Sequence, residues 1–211
     1  MLLAPTARGF VVSLCRLYRL KSHFASKVIE DLDYQTMIRS IFISFVFSAI
    51  LFAEFESDLQ LKLILAEPGD TIHLKSGMFS ILGTLSMEGK NNVVIKGSGI
   101  NGTILDFSTQ VEGAQGLSIT NCKNITLEDF SVQNAKGDAI KCQYVNGITF
   151  RRVKAQWLDG PKSTNGAYGL YPVQCENVLI EHCVAIAASD AGIYIGQSES
   201  IIVRYSEAFD N

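Results

Sequence analysis

Two sets of apolar residues recur at the same uneven spacing, and this repeat limits the possible folds more than any other feature of the chain. Separations of 23, 30 and 23 residues divide the first set, Ile125, Ile148, Val178 and Ile201. The same separations divide the second set, Leu117, Ile140, Leu170 and Ile193. Because two independent registers repeat together, we interpret the chain from about residue 91 onwards as a stack of equivalent structural units.

Each repeat contains three short segments in which apolar and other residues alternate. In one repeat the apolar pairs are Leu117/Ile119, Ile125/Leu127 and Phe130/Val132. A period of two is typical of strands, and the segments leave no room for a helix between them. Three strands per repeat predict an all-β fold, a right-handed parallel β-helix (solenoid) with three short strands in each coil.

Other repeat folds fit less well. A propeller blade needs four strands and about 40 residues, and the leucine-rich repeat consensus is missing. We therefore expect a β-helix domain over residues 59–211, in which Leu59–Ala66 forms a strand or helix that caps the first coil. The sequence stops at Asn211 just after a strand with no polar cap. Either another chain covers that end or the chain is truncated at its C-terminus, and we expect truncation.

Several motifs resemble known β-helix families. Glu67–Ile72 (EPGDTI), Lys75–Gly77 and Asn92–Gly99 resemble the opening of pectin-lyase-like proteins. Lys136–Ile140 (KGDAI) and Ser189–Ser198 are more similar to a family of exported bacterial parallel β-helix repeat proteins. This resemblance covers about residues 60–211. It implies an extracytoplasmic location and, in some members, a partner related to cytochrome c, but it implies no particular activity.

An apolar run near the N-terminus predicts export. Residues Ile41–Ala53 (IFISFVFSAILFA) follow Arg39 and are too few for a comfortable transmembrane helix. We expect 37–53 to be a signal peptide, with a membrane anchor as the alternative. Residues 1–36 are an unassigned leader or an extension of the reading frame before Met37. The expected location is periplasmic, cell-surface or secreted, with no stable membrane span after signal removal.

Charge and cysteine usage exclude some functions. The net charge is −3, and no basic stripe with interleaved aromatics occurs, so no nucleic-acid partner is expected.

The five cysteines form no CxxC pair and do not have the spacing of zinc ligands. We expect them to be small buried residues. Cys122 and Cys175 fall two coils apart in one column, and we expect no bond between them.

The longest connection marks the candidate site. Residues Gln156–Gly169 carry seven more residues than the equivalent links and are expected to overhang the face formed by the first strands. Stacking on sugar rings and polar contacts with hydroxyls or carboxylates would suit a group of residues near this face. The candidates for substrate binding are Trp157, Tyr168, Tyr171, Tyr194 and Gln143.

The acids near the same face are candidates for catalysis, together with Lys141: Asp138, Asp159 and Asp190. Glycoside hydrolysis needs two carboxyl groups about 5–10 Å apart, whereas calcium needs six to eight oxygen ligands. One carboxylate per coil is few for calcium, so the metal requirement stays unknown, and no cofactor is identified.

These residues leave several functions open. An exported protein that binds or processes a polysaccharide, as a lyase, hydrolase or epimerase, is the first hypothesis. The alternative is a non-catalytic structural or partner-docking solenoid that serves an exported redox protein, such as a cytochrome-like partner. A surface of outward Tyr and Lys that only covers a solvated sheet would explain the same residues.

Overall fold

A computed structural model describes residues 55–211. The predicted leader (1–36), the predicted signal peptide (37–53) and Cys15 lie outside the described residues. One helix, α1, covers 55–65. Fifteen strands follow it: β1 (Thr71–His73), β2 (Gly77–Ser80), β3 (Leu85–Glu88), β4 (Asn91–Lys96), β5 (Thr103–Asp106), β6 (Leu117–Thr120), β7 (Lys123–Gln133), β8 (Ile140–Gln143), β9 (Asn146–Gln156), β10 (Tyr168–Val173), β11 (Glu176–Glu181), β12 (Val184–Ile186), β13 (Ala191–Ile193), β14 (Glu199–Arg204) and β15 (Glu207–Phe209).

The strands form two parallel sheets that wind around a common core. A five-stranded sheet has the order β13-β10-β8-β6-β3. A ten-stranded sheet has the central order β1-β4-β7-β9-β11-β14, with β2, β5, β12 and β15 beside it. The result is a right-handed parallel β-solenoid of about 5 turns, which confirms the predicted fold class.

Strand pairing follows the spacing of the sequence repeat. Ile125 pairs with Ile148, and Ile148 pairs with Val178. On the other sheet, Leu117 pairs with Ile140. The 30-residue coil keeps this register because its extra residues lie in the link between β9 and β10, outside the strands. The repeat therefore predicted which residues stack on one another from coil to coil.

Two coils differ from the expected three separate strands. β7 and β9 each run for 11 residues and combine the second and third strands of their coils. Between the two merged segments each strand bends at a residue with left-handed backbone geometry, Asp129 (φ 64) in β7 and Arg152 (φ 50) in β9. Aspartate tolerates this conformation better than most residues, whereas it is uncommon for a long side chain such as that of Arg152. Pairing between the two strands continues on both sides of the bend.

Apolar side chains fill the interior in columns. Leu127, Phe150 and Ile180 are neighbours in one column, and all three are fully buried. Burying such a side chain contributes about 1.5–3 kcal/mol. The last coil has a neighbour on one side only, so Val203, in the same column, is 46% exposed.

Helix α1 covers the other end of the solenoid. Leu59 and Leu63 bury one helix face, and Ala66, directly after the helix, is buried as well. The Gln60 amide bonds both backbone groups of Ser86, at 2.9 and 2.8 Å. These contacts satisfy an edge that would otherwise be open. Of the two alternatives for Leu59–Ala66, the structure shows the helix.

Polar pairing by Glu56 completes this cap. Its carboxylate accepts hydrogen bonds from the backbone N–H groups of Leu82 and Gly83, both at 2.8 Å.

Within residues 55–211, no helix has both the length and the apolar character needed to cross a membrane.

Four cysteines belong to the interior. Cys122, Cys142, Cys175 and Cys183 are free and buried, which confirms the prediction for these four. Burial raises the pKa of each thiol, that of Cys183 to about 11. Thiols with raised pKa values are poor nucleophiles at neutral pH. Their role is to fill small gaps in the core.

Candidate functional site

Three tyrosines form a cluster at the five-stranded sheet, and we call Tyr168, Tyr171 and Tyr194 the tyrosine patch. The Tyr168 and Tyr194 rings are stacked, with centroids 4.5 Å apart and planes 15° from parallel. Tyr171 lies 4.7 Å from Tyr168 and 5.4 Å from Tyr194 between ring centroids. Tyr194 is 41% exposed. The patch therefore presents aromatic surface to solvent.

Strand alternation places these rings outside the core. Tyr171 lies in β10 between the buried residues Leu170 and Pro172, so its side chain points to the opposite face. Tyr194 directly follows β13. Two neighbouring coils therefore contribute to the patch.

Asp138 stands on one side of the patch, just before β8. Its side chain is half-buried. Burial raises the pKa of its carboxyl, while the charge of Lys141 and a backbone hydrogen bond from Tyr168 oppose the shift. The pKa of Tyr171 is also raised, first by burial and then by the charge of Asp138. Asp138 is thus coupled to both tyrosines of β10.

Asp190 stands on the other side, just before β13, and is exposed. Its side-chain hydrogen bond is the largest cause of the raised pKa of Tyr168. Two of the three acids that the sequence singled out, Asp138 and Asp190, therefore flank the patch, one at each side.

Lys141 supplies the positive charge of the site. Its register partner across the sheet is Tyr171, and its Nζ lies 5.4 Å from the centroid of that ring. A cation within about 6 Å of a ring centroid is attracted by the ring's electrons. Lys141 is therefore engaged with both Tyr171 and Asp138.

Two predicted site residues have other partners. The Asp159 carboxylate pairs with Lys162 Nζ at 2.9 Å within the same link, and its side chain is 82% exposed. Gln143 donates from its amide to Gln174 Oε1 at 2.8 Å. Neither contact brings these side chains to the tyrosines.

Trp157 requires a correction. Its ring is only 5% exposed, and its indole N–H donates to the Ala135 carbonyl at 2.7 Å. A ring buried in this way has no free face for a sugar, so the expectation that Trp157 binds substrate does not hold. The ring packs against Gly166, where a Cβ would lie 2.7 Å from it, and this contact exists only in the folded chain.

The long link is held against a corner of the solenoid rather than projecting over the sheet as expected. The Asn165 amide donates to the Ala187 carbonyl at 2.7 Å, and the Gly166 carbonyl accepts the Ser189 N–H at 2.9 Å. A Cβ on Gly166 would lie 1.6 Å from the Gly137 oxygen, so only glycine fits there. These contacts fix the backbone immediately before Asp138 and Asp190.

One feature of the site was missed from the sequence. Lys141 follows Asp138 by three residues, and the spacing itself was the available signal for an interaction between their charges.

Across residues 55–211, no three His, Cys, Asp or Glu side chains gather to hold a metal ion.

The arrangement offers two kinds of chemistry. Exposed tyrosine rings stack against the apolar faces of sugars, and the hydroxyl and carboxylate oxygens around them bond to sugar hydroxyls. A carboxyl whose pKa is raised, as in Asp138, keeps its proton to higher pH than an ordinary aspartic acid and is therefore better suited to donate it.

Comparison with known proteins places the fold. A sequence model described as the right-handed β-helix region matches residues 83–211. No curated protein matches the sequence. A crystal structure from Parabacteroides merdae ATCC 43184, provisionally named a glycosyl hydrolase, is 16% identical with a TM-score of 0.46. The alignment covers 65% of this chain and 75% of that protein's chain.

Pectin methylesterase PemA from Erwinia chrysanthemi is 14% identical with a TM-score of 0.41. The alignment covers 61% of this chain but only 49% of PemA, so the chain spans about half of that enzyme's length. Because the β-helix sequence model covers more than half of the chain and the solenoid agrees with it, the chain belongs to the right-handed β-helix family.

Proposed function

We propose that this chain binds a polysaccharide at the tyrosine patch. The observation that carries the proposal is the mutual contact of three tyrosines on the outer face of the five-stranded sheet, between Asp138 and Asp190. Aromatic rings provide apolar contact area with a sugar ring, and the surrounding oxygens orient its hydroxyl groups. A solenoid surface suits a long polymer because neighbouring coils present similar positions side by side.

Binding is favoured over catalysis by where the acids lie. A catalytic pair would require a second carboxyl close to Asp138, and Asp159, the residue expected in that role, pairs with Lys162 instead. The tyrosines also form a continuous aromatic surface on the sheet. A binding function needs only this surface.

Polysaccharide processing is a second candidate because of one observation. Burial raises the pKa of Asp138, and such a shift is often found for general acids. In that case Asp138 would donate a proton, with Asp190 as the second carboxyl. The reaction would be that of a hydrolase, lyase or epimerase.

The proposed setting is outside the cytoplasm, as the signal-peptide prediction implies. A structural or docking role beside an exported redox protein stays the alternative. That alternative requires no glycan contact, so a glycan-binding experiment separates the two functions.

The test of binding uses the full chain and two matched tyrosine substitutions. Tyr194→Ala removes the most exposed ring of the patch, whereas Tyr205→Ala removes a ring that is 74% exposed at a corner of the other sheet. We expect Tyr194→Ala to weaken binding to the recognised glycan about tenfold, which corresponds to about 1.4 kcal/mol. We expect Tyr205→Ala to bind as the parent does. Affinity electrophoresis across a glycan panel, followed by calorimetry, would measure both.

Equal weakening by both substitutions would contradict a specific role for the patch. Failure of the parent chain to bind any glycan, with its fold intact by circular dichroism, would favour docking. Release of new reducing ends that Asp138→Asn abolishes, with binding retained, would instead establish processing.

A further inference from the structure

The charges around the tyrosine patch are unequal. Asp138 and Asp190 carry negative charge on its two sides, and Lys141 carries positive charge beside Tyr171. Lys141 is also the charged residue that lowers the pKa of Asp138. The charge of Lys141 therefore acts on Asp138, whereas Asp190 is exposed and acts on Tyr168.

The two carboxylates also affect the pKa values of two tyrosine hydroxyls. Asp190 raises the pKa of Tyr168, chiefly through a hydrogen bond, and the charge of Asp138 adds to the effect of burial in raising the pKa of Tyr171. Both carboxylates thus disfavour negative charge at these hydroxyls. The carboxylate of a bound sugar acid would meet the same repulsion at the same place.

Side chains that hold sugar acids well are committed elsewhere. Arginine binds carboxylates with two parallel hydrogen bonds, and residues 55–211 contain three arginines. Arg151 and Arg204 both pair with Glu181, at 2.7 and 2.6 Å. Arg152 pairs with Asp129 at 2.6 Å.

All three arginines lie in the ten-stranded sheet, and two of them belong to a column that we call the charge ladder. It consists of residues of alternating sign on successive coils: Lys96, Glu128, Arg151, Glu181 and Arg204. Arg152 lies at the bend of β9 next to the ladder. None of the three arginines lies on a strand of the five-stranded sheet that carries the patch.

On these grounds, and resting on the proposed function, we infer that the tyrosine patch takes uncharged sugar units, so that the ligand is a neutral polysaccharide and not a polyuronide. The aromatic rings supply the attraction, the carboxylates accept hydrogen bonds from sugar hydroxyls, and the same carboxylates reject a uronate. The distinction concerns charge, so it can be tested with two ligands that share a backbone and differ chiefly in charge.

Polygalacturonate and its fully methyl-esterified form are such a pair, because they share one backbone and differ in the charge of each unit. We expect the full chain to bind the ester about tenfold more tightly at low ionic strength. Added salt should narrow this ratio, since exposed charges are screened beyond about 10 Å at 0.1 M. Neutral galactan, mannan, xylan and β-glucan are measured alongside, and binding of any of these without binding of polygalacturonate supports the inference equally.

Two acid substitutions link any discrimination to the patch. Asp190→Asn removes its exposed negative charge and should narrow the preference for the uncharged ligand. Asp58→Asn removes an exposed charge from helix α1, where it pairs with Lys62, and should leave the preference unchanged. A preference that both variants retain in full would overturn the inference.

The remaining outcomes separate this inference from the proposed function. Tighter binding of polygalacturonate, lost in Tyr194→Ala, would overturn the inference and leave the patch as a glycan site. No binding of any polymer by the folded chain would overturn both.

Discussion

The tyrosine patch and the charge ladder lie on two sheets of one solenoid and use charge in opposite ways. In the ladder each carboxylate lies between two cations: Glu128 contacts Lys96 at 2.7 Å and Arg151 at 3.6 Å. Hydrogen bonds from Arg151 and Arg204 lower the pKa of Glu181. Beside the patch stand two acids and one lysine, and one of the acids, Asp138, has a raised pKa.

The difference shows how a regular scaffold can separate support from recognition. On both sheets, the strand register places equivalent positions of successive coils one above another. The residues at those positions decide whether the column supports the fold or can bind a ligand. Alternating charges satisfy one another and leave little capacity for a ligand. Aromatic rings with unmatched carboxylates keep that capacity, at some loss of stability.

The largest expected effect comes from breaking the core that supports both regions. Phe150 is fully buried between Leu127 and Ile180 in adjacent coils. Phe150→Ala should lower the free energy of unfolding by about 3–5 kcal/mol, because it leaves a cavity. Denaturant unfolding of the full chain measures the change. Phe209→Ala, at an exposed position of the last coil, is the control and should lower stability far less.

A smaller effect is expected at the corner beside the patch. Trp157→Phe removes the indole donor and leaves the Ala135 carbonyl without that partner. The loss should be about 1–3 kcal/mol, the usual range for an unsatisfied buried polar group. Glycan affinity should stay unchanged at a temperature where the variant is folded. A loss of affinity with unchanged stability would restore Trp157 as a binding residue.

The smallest expected effects are changes in the pH dependence of stability, and they have opposite signs at Asp129 and Asp138. Arg152 holds the pKa of Asp129 below its usual value of 3.8, so Asp129 contributes stability above about pH 4 that is lost as the pH falls through its folded pKa. Asp129→Asn should lower stability at pH 7 by about 0.2–1 kcal/mol, as for an exposed ion pair, and should change it little at pH 3.

Asp138 should behave in the reverse way. Because its folded pKa lies above 3.8, the native state holds more protons than the unfolded state between these values, and stability falls as the pH rises through this range. Asp138→Asn should therefore raise stability at pH 7 and have little effect at pH 3. Urea unfolding at pH 3, 5 and 7 measures both variants. If both substitutions changed the stability at pH 7 in the same direction, the contrast between the two regions would not hold.

Much of the fold could be predicted because periodicity and stacking have a direct physical origin. Side chains alternate along a strand, so Leu117/Ile119 and Ile125/Leu127 had to share the inside. Equal spacing in two registers then predicted which coil lies on which. The merging of two strands in β7 and β9 was not predicted, because alternation on each side of the bend is the same whether pairing continues through it or stops.

The candidate site was predicted less completely. Tyr171, Tyr194 and Lys141 are strand residues or directly follow a strand, so the register placed them together. Trp157 and Asp159 belong to a link, where no period applies and local contacts decide the direction of each side chain. The Ala135 carbonyl and Lys162 supplied those contacts.

By itself, the sequence determined the length of each repeat, the residues that face the core and the coil-to-coil neighbours, because these follow from the spacing of apolar residues. The tertiary structure alone decided that Trp157 is buried, that Asp159 turns to Lys162 and that Tyr168 stacks on Tyr194. The physical reason is that burial and charge pairing at a corner depend on atoms contributed by other coils, and their positions exist only once the coils have stacked.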